Sequence, residues 1–441
     1  MKFTLLLSFV FISAAALSQS NTTTYEVGTW SGFRTAAVSY TFDDGCANQF
    51  KTAIPMFDEY GFKLTLFTVT GWNSNWNALK SASANGHEIA SHTIAHPNFG
   101  SISLDSQKVE LVDSKAAIQS HIPDKKCITI AYPYCVPGND GLCSASYISA
   151  RGCQGYVEGK TPGSFFNVSS VIGGSLGAVK TFDHFKTFFS TAGKKTGWCV
   201  FLFHGIDDDG GYSPIASAEL RKSLDYLYLR KSKFWVTSFV NASLYAKERN
   251  AAVVTETLST DSVKTLLVTD NLSDSIYNYP LTLRCELPAN WPSANVTQNG
   301  SDVSKRIVKV DSVVYLTFDV VPDAGEVKLS KNQIFVTPEV DIDPDAPVDT
   351  VKETSLHIYN QDVTISWSNG KLLISSSEIL CNNLKMSGFD VKGVKLFSQE
   401  LNFKGAGSIM VDVKGKCPQN GACFLVLTDG KNSWNTKLFI L

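Results

Sequence analysis

The sequence contains no Cys-x-x-Cys pair, no Gly-x-Gly-x-x-Gly fingerprint and no His-Glu-x-x-His, and after its first residues it has no apolar run long enough to cross a membrane. Each absence removes a class of function. Without paired thiolates there is no support for a cysteine zinc site or a thioredoxin-like redox centre. Without the glycine fingerprint a dinucleotide cofactor has no support, and the Gly173-Gly174-Ser175-Leu176-Gly177 stretch does not supply one. Without the helix-borne histidine pair a zincin protease is disfavoured. An excess of charge of either sign is also missing: 39 Lys and Arg stand against 41 Asp and Glu, a formal net charge of -2. Such a chain has no basic field to draw nucleic acid to it. Internal repeats and long low-complexity tracts are absent too.

What is there begins with a leader pattern. Lys2 precedes the apolar run Phe3 to Ile12, and the small residues Ala14, Ala15 and Ala16 follow, so residues 1–18 read as a signal peptide. The expected location is secreted, extracellular or at the cell surface, with no membrane span. Ten cysteines in an exported chain permit disulfides. The nearest pairs, Cys135 with Cys143 and Cys417 with Cys423, are the expected local bridges, and Cys285 lacks an obvious partner.

The 441 residues exceed one ordinary core, so two or three domains are expected. From residue 36 to about 250, β-rich runs ("AVSYTF", "KLTLFTV", "HEIAS", "CITIAYPY", "WCVFLF", "FWVTSF") alternate with helical patterns over 47–60, 75–85, 103–121, 181–192, 215–231 and 239–249. In the clearest helix Ser103 is the expected N-cap, and Leu104, Leu111, Ile118 and Ile122 form its apolar face. This alternation predicts an α/β domain, a distorted (β/α) barrel, over residues 19–250. Strand and turn patterns then predict two smaller all-β, sandwich-like domains: an accessory domain over 251–335 and a C-terminal domain over 354–441. The proline-rich, acidic stretch 336–353 between them reads as a linker.

A barrel gives a positional test, because its active site sits at the carboxyl ends of its strands. Asp43 and Asp44 end one strand; by itself Asp-Asp-Gly would be an ordinary turn. His92 and His96 follow another, "AYPY" ends a third, and His204 ends a fourth. Two imidazoles and a carboxylate at short range can hold a divalent metal with a position open for water. A second carboxylate can take a proton from that water, and a further histidine can protonate a leaving group.

These residues resemble a known family. Thr41-Phe42-Asp43-Asp44-Gly45, Ser91-His92-Thr93-Ile94-Ala95-His96, Tyr132-Pro133-Tyr134 and Leu202-Phe203-His204 are similar, in order, to the motifs of the polysaccharide deacetylases, the NodB-homology enzymes of carbohydrate esterase family four. The resemblance covers about residues 34 to 250. It implies Asp43 as general base and Asp44, His92 and His96 as ligands of a divalent metal, Zn²⁺ first, with Co²⁺ or Ni²⁺ as alternatives. It implies the Tyr134 backbone N–H as oxyanion donor, His204 as general acid, Thr93 as support for the metal loop and Leu202 beneath the acetyl methyl group. Trp72 and Tyr132 are expected at the substrate. Two departures stand out: Ala131 occupies the place where the family carries an arginine that orients the base, and the family's fourth motif is not recognisable, with Asp183 and Trp198 as loose candidates.

The expected function is therefore a secreted metal-dependent deacetylase acting on an acetylated polysaccharide, with O-acetyl xylan the leading substrate. The alternatives are an N-deacetylase acting on chitin or peptidoglycan and a catalytically weak glycan-binding protein on the same scaffold. Other candidates take bland readings. His87 and Glu88 support the metal strand, and Cys46 is a buried thiol or disulfide partner with no base beside it. Asp207, Asp208 and Asp209 line a solvated or sugar-facing loop, and Trp76 packs under a loop or meets sugar. The last stretch, with "SGFDVKGVKLFSQELNF" and "ACFLVLTDGKNSWNTKLFIL", resembles the sorting domain of type IX-secreted proteins and implies an export-machinery partner.

Overall fold

The computed structural model describes residues 23–72, 74–336 and 338–340, then strand segments between 354 and 440 with Val413 and Lys416. The expected leader, most of the expected linker and Cys417 lie outside the described residues. The chain divides into two compact units, Met1–Asp343 and Pro344–Leu441.

The first unit opens with strand β1 (Tyr25–Val27), followed by β2 (Ala36–Asp43), helix α1 (Ile54–Glu59), β3 (Thr65–Thr68), α2 (Trp76–Ala84), β4 (Glu88–Ser91) and α3 (Leu104–His121). Next come β5 (Thr129–Ala131), α4 (Asp140–Ser144), β6 (Ser149–Arg151), β7 (Val171–Ile172), α5 (Phe182–Lys195), β8 (Trp198–Phe203), α6 (Ser217–Leu229), β9 (Phe234–Val236) and α7 (Phe239–Ala251). The parallel strands run in the order β6-β5-β4-β3-β2-β8-β7, with β9 also paired to β2. Val168 bridges back to β6 just before β7 joins β8, so the curled sheet meets itself across its seam. This is the expected (β/α) barrel. The short strands β6 and β7 were not legible as strands, because neither carries an apolar run of its own.

Alternation along each strand sorts residues between two environments. On β2, Ala36, Val38, Tyr40 and Phe42 pack outward under the helices with Phe57, Phe185 and Phe201. Ala37 belongs instead to the inner cluster with Phe67, Ala90, Ala131, Trp198 and Val200. Asp43 continues that inward parity and is buried at the strand's carboxyl end. Helix α3 starts as expected, with Ser103 Oγ accepting the Ser106 N–H. Leu111, Ile118 and Ile122 are buried, but Leu104, in its first turn, is exposed.

The remaining strands of this unit are β10 (Val253–Ser259), β11 (Val263–Thr269), β12 (Leu281–Glu286), β13 (Ser293–Gln298), β14 (Ser301–Asp302), β15 (Lys305–Val310), β16 (Val313–Val320), β17 (Val327–Asn332) and β18 (Glu339–Val340). They form two five-stranded sheets, ordered β1-β12-β16-β15-β18 and β10-β11-β17-β13-β14. Strand β1 thus pairs with β12, more than 250 residues later, before the chain enters the barrel. Trp30, just after β1, is fully buried among Trp198, Trp235 and Tyr245, and its indole N–H donates to the Thr196 carbonyl. One apolar cluster therefore runs from the barrel floor into Leu266, Leu283, Val296 and Phe318 of the sheets.

Among its described residues the second unit has two four-stranded antiparallel sheets. One pairs Thr354–Ile358, Gln361–Ser368, Lys371–Ser376 and Ser408–Asp412 in that order. The other has the order Lys395–Leu401, Leu384–Phe389, Gly421–Thr428, Ser433–Ile440.

Candidate active site

The carboxyl ends of β2, β4 and β8 bring Asp43, Asp44, His92, His96 and His204 together. Asp44 turns away from the strand with φ +73°. Its Oδ1 lies 3.7 Å from His92 Nε2 and 3.8 Å from His96 Nε2, and its Oδ2 lies 3.9 Å from His204 Nε2. One ligand atom from each of Asp44, His92 and His96 falls within 4.8 Å of the others. Asp44 Oδ1 is buried without a hydrogen-bond partner. His92 Nδ1 is 2.8 Å from the Ala131 carbonyl and donates to it, which leaves Nε2 with its lone pair toward Asp44. A bare buried carboxylate oxygen beside two imidazole nitrogens is a donor set that fits a divalent cation.

The loop that carries the histidines is held in a strained form. Thr93 and His96 have φ of +70° and +58°, a region that costs a β-branched residue energy and persists only when the surroundings enforce it. Thr93 Oγ1 accepts the His96 N–H at 3.0 Å, the Thr93 carbonyl accepts the Thr70 N–H, and Glu110 of α3 accepts the N–H groups of Ile94 and Ala95. Gly71 donates to the Ile94 carbonyl, and a Cβ at that glycine would sit 2.5 Å from the same oxygen. Glu110 has no sequence signal, because an acid on a helix surface reads as solvated.

Burial and charge set the protonation preferences. Burial, then the neighbouring Asp43 charge, pushes Asp44 up to about 6. Burial lowers His92 to about 4 and lowers His96 as well, so both imidazoles favour the neutral, ligating form. Burial would raise Asp43, but Arg151, followed by His92 and His204, outweighs it and holds this carboxyl below its ordinary value. Arg151 Nη2 donates to Asp43 Oδ2 at 2.7 Å, both side chains are buried, and Asp43 Oδ1 has no partner. Ala131 does leave its own position without a guanidinium, and one reaches Asp43 from elsewhere in the barrel.

The other expected residues fall into place or out of it. Leu202 is buried beside Thr41, its register partner. Tyr134 has φ +56°, and its exposed ring lies 4.8 Å from that of His96; the exposed Trp72 ring lies 5.4 Å away on the same imidazole. Tyr132 corrects its expectation: at 1% exposure it packs on Phe99 and is not presented to a ligand. The loose fourth-motif candidates are engaged elsewhere. Asp183 is an exposed partner of Lys186, and Trp198 bonds Ser39 in the barrel interior. His204 Nδ1 is buried without a partner, and Tyr212, unnoticed in the sequence, packs edge-on against this ring at 5.1 Å.

Several smaller readings also resolve. Cys135 bonds Cys153 and not Cys143, which is a free, buried thiol. Cys46 is free, and burial with nearby carboxylates pushes it up to about 12, far from a thiolate nucleophile. Asp207 accepts the Ser217 N–H at the start of α6, and Asp209 accepts those of Asn48 and Gly211. His87 bonds Leu64 and Asp58, and Trp76 stacks on His121.

Fold and rim together define a (β/α) barrel with a candidate metal site at its strand ends. Residues 32–145 match the family described as polysaccharide deacetylase, and the match ends before Arg151 and His204. The chain is 28% identical to a gellan lyase from a Bacillus species over 326 residues, 69% of this chain and 13% of that protein. It is 31% identical over 129 residues to YxkH of Bacillus subtilis, whose assigned name is that of a polysaccharide deacetylase, covering 28% of this chain and 44% of that one. The chain therefore spans less than half the length of either relative. Among solved structures, a family 4 acetyl xylan esterase from Clostridium thermocellum in complex with a cobalt ion is 16% identical, covering 47% of this chain and 89% of that one, with a TM-score of 0.35. A family 4 carbohydrate esterase from Bacillus anthracis is 17% identical, covering 46% and 80%, with a TM-score of 0.33.

Proposed function

We propose that the protein is a secreted, metal-dependent deacetylase that hydrolyses acetyl groups on a polysaccharide, with O-acetyl xylan the leading substrate and N-acetylated chitin or peptidoglycan the alternative. The observation that carries this reading is the convergence of the Asp44, His92 and His96 ligand atoms beside a second carboxylate, Asp43, with one bare oxygen. Zn²⁺, Co²⁺ or Ni²⁺ held there would polarise a water molecule and the acetyl carbonyl. Asp43 Oδ1 takes the proton of the attacking water, while Arg151 keeps Oδ2 occupied. The Tyr134 N–H donates to the oxyanion, His204 Nε2 returns a proton to the leaving oxygen or nitrogen, and Leu202 packs beneath the methyl group. The exposed rings of Trp72, Tyr134 and Tyr212 offer faces for the sugars on either side. Export is part of the same proposal and rests on the leader pattern and on the resemblance of the C-terminal stretch to a sorting domain.

A second reading has one observation in its favour: His204 Nδ1 is buried with no hydrogen-bond partner to orient the ring. With a weak general acid the same rim would bind an acetylated glycan and turn it over slowly. Acetate release from acetylated xylan and from chitin oligomers, with chelator and with re-added Zn²⁺, separates the two. The deacetylase reading expects release that chelation abolishes and Zn²⁺ restores; a metal-loaded protein that releases nothing from either polymer would favour the binding role.

A further inference from the structure

We propose that Arg151 is the positioning residue of Asp43, delivered across the barrel interior from β6 in place of an arginine at position 131. This inference rests on the deacetylase reading for its rate effect and on geometry for its substance. Ala131 and Arg151 are register partners on the adjacent parallel strands β5 and β6, so their side chains leave the sheet on the same face, into the interior. From there Arg151 reaches past three strands, β5, β4 and β3, to Asp43 on β2. Its guanidinium lies 5.2 Å from the Phe67 ring, Nη1 donates to Thr41 Oγ1 at 3.3 Å, and Nη2 donates to Asp43 Oδ2 at 2.7 Å.

The path is open because the interior residues on β5 and β4, Ala131 and Ala90, are small and fully buried, and on β3 the guanidinium passes over the Phe67 ring. An arginine at 131 would compete with Arg151 for this space and this carboxylate, so the two positions are alternatives. The end of β6 is also fastened. The Tyr132 N–H donates to the Arg151 carbonyl, and the Cys135–Cys153 disulfide joins the loop after Tyr134 to the residue two beyond Arg151. The bridge therefore holds together the loop of the oxyanion donor and the strand that aims the base. With Oδ2 fixed by Arg151, Asp43 presents Oδ1 and is kept from swinging onto the cation as a further ligand.

The test compares wild type, Arg151→Ala, Ala131→Arg and the double variant, measuring acetate release, Zn²⁺ affinity in metal buffers and thermal stability. Arg151→Ala should lower kcat about 10- to 100-fold with little change in KM, the range for losing a group that orients the chemistry from behind. It should also tighten Zn²⁺ binding at least about threefold, because a buried positive charge beside the ligands is gone. In the double variant both values should return toward wild type, whereas Ala131→Arg alone should lower stability by crowding two guanidinium groups onto one carboxylate. Wild-type kcat and Zn²⁺ affinity in Arg151→Ala would overturn the proposal, as would a folded double variant that stays at the single variant's values. If the wild type releases no acetate, the deacetylase reading fails and the Zn²⁺ pattern alone decides this one. Should Arg151→Ala not fold, Arg151→Gln, which also removes the charge, replaces it, with the same directions expected and the same contrary results decisive.

Discussion

Two carboxylates, one half-buried and one buried, stand at opposite ends of the same barrel, and they are partnered differently. Glu88, at the start of β4, is saturated: it accepts the hydroxyls of Thr65 and Thr129 and the N–H of Val240 at the head of α7. Asp43, at the end of β2, has one oxygen on Arg151 and the other bare, with Asp44 Oδ1 and His204 Nδ1 also unpartnered nearby. Buried polar atoms are rarely left unsatisfied, since each costs about 1–3 kcal/mol. Glu88 meets that rule at the floor, which merges with the sheets behind it, while the rim breaks it at the atoms that chemistry would use.

The largest expected effect lies at the rim. Asp43→Asn should lower kcat for acetate release by about 10²- to 10⁴-fold while each folded molecule keeps its metal, and it should also lower Tm because the buried Arg151 loses its charge partner, measured by steady-state assay, metal analysis and calorimetry. At the floor the pattern inverts. Glu88→Gln offers one acceptor where three donors converge, so it should cost about 2–3 kcal/mol and lower Tm by roughly 5 °C, with acetate release per folded molecule unchanged. Tyr212→Ala removes a ring face beside His204 and should raise KM on a polymer about threefold to tenfold, leaving turnover of a small acetyl ester nearly intact.

The smallest effect tests the comparison where barrel and sheets join. Glu248, buried in α7, has one oxygen on the Tyr279 N–H and the other bare, and burial pushes it up to about 7. The folded chain keeps this proton to a higher pH than the unfolded chain does, so the stabilising contribution is full in acid and lost as pH rises through about 7. Glu248→Gln should therefore raise Tm by about 2–4 °C at pH 8 and leave it unchanged near pH 4.5, by calorimetry across that range.

The rim was legible where its residues are contiguous. Asp43-Asp44 and His92 to His96 each declare themselves within six residues, and strand alternation places them at one end of a barrel. Arg151 was not legible: it lies 108 positions from Asp43, on a strand of three residues whose sequence, Ser-Ala-Arg, carries no apolar pattern. Contacts made across a barrel interior leave no local periodicity. The same holds for β1, whose three residues pair with a strand beyond the barrel, and for Cys135, whose partner follows from the meeting of β5 and β6 and not from loop length. Tyr132 shows the converse error, since a motif residue beside the site can face the core.

The central claim is that the rim is a hydrolytic site that works through a bound metal. The direct measurement is the rate of acetate release from acetylated xylan as Zn²⁺ is titrated into chelator-treated protein, with bound metal counted in the same samples. A rate that rises in proportion to occupancy and saturates at one ion per chain is the predicted result. Full occupancy without acetate release, or release indifferent to occupancy, would contradict the account.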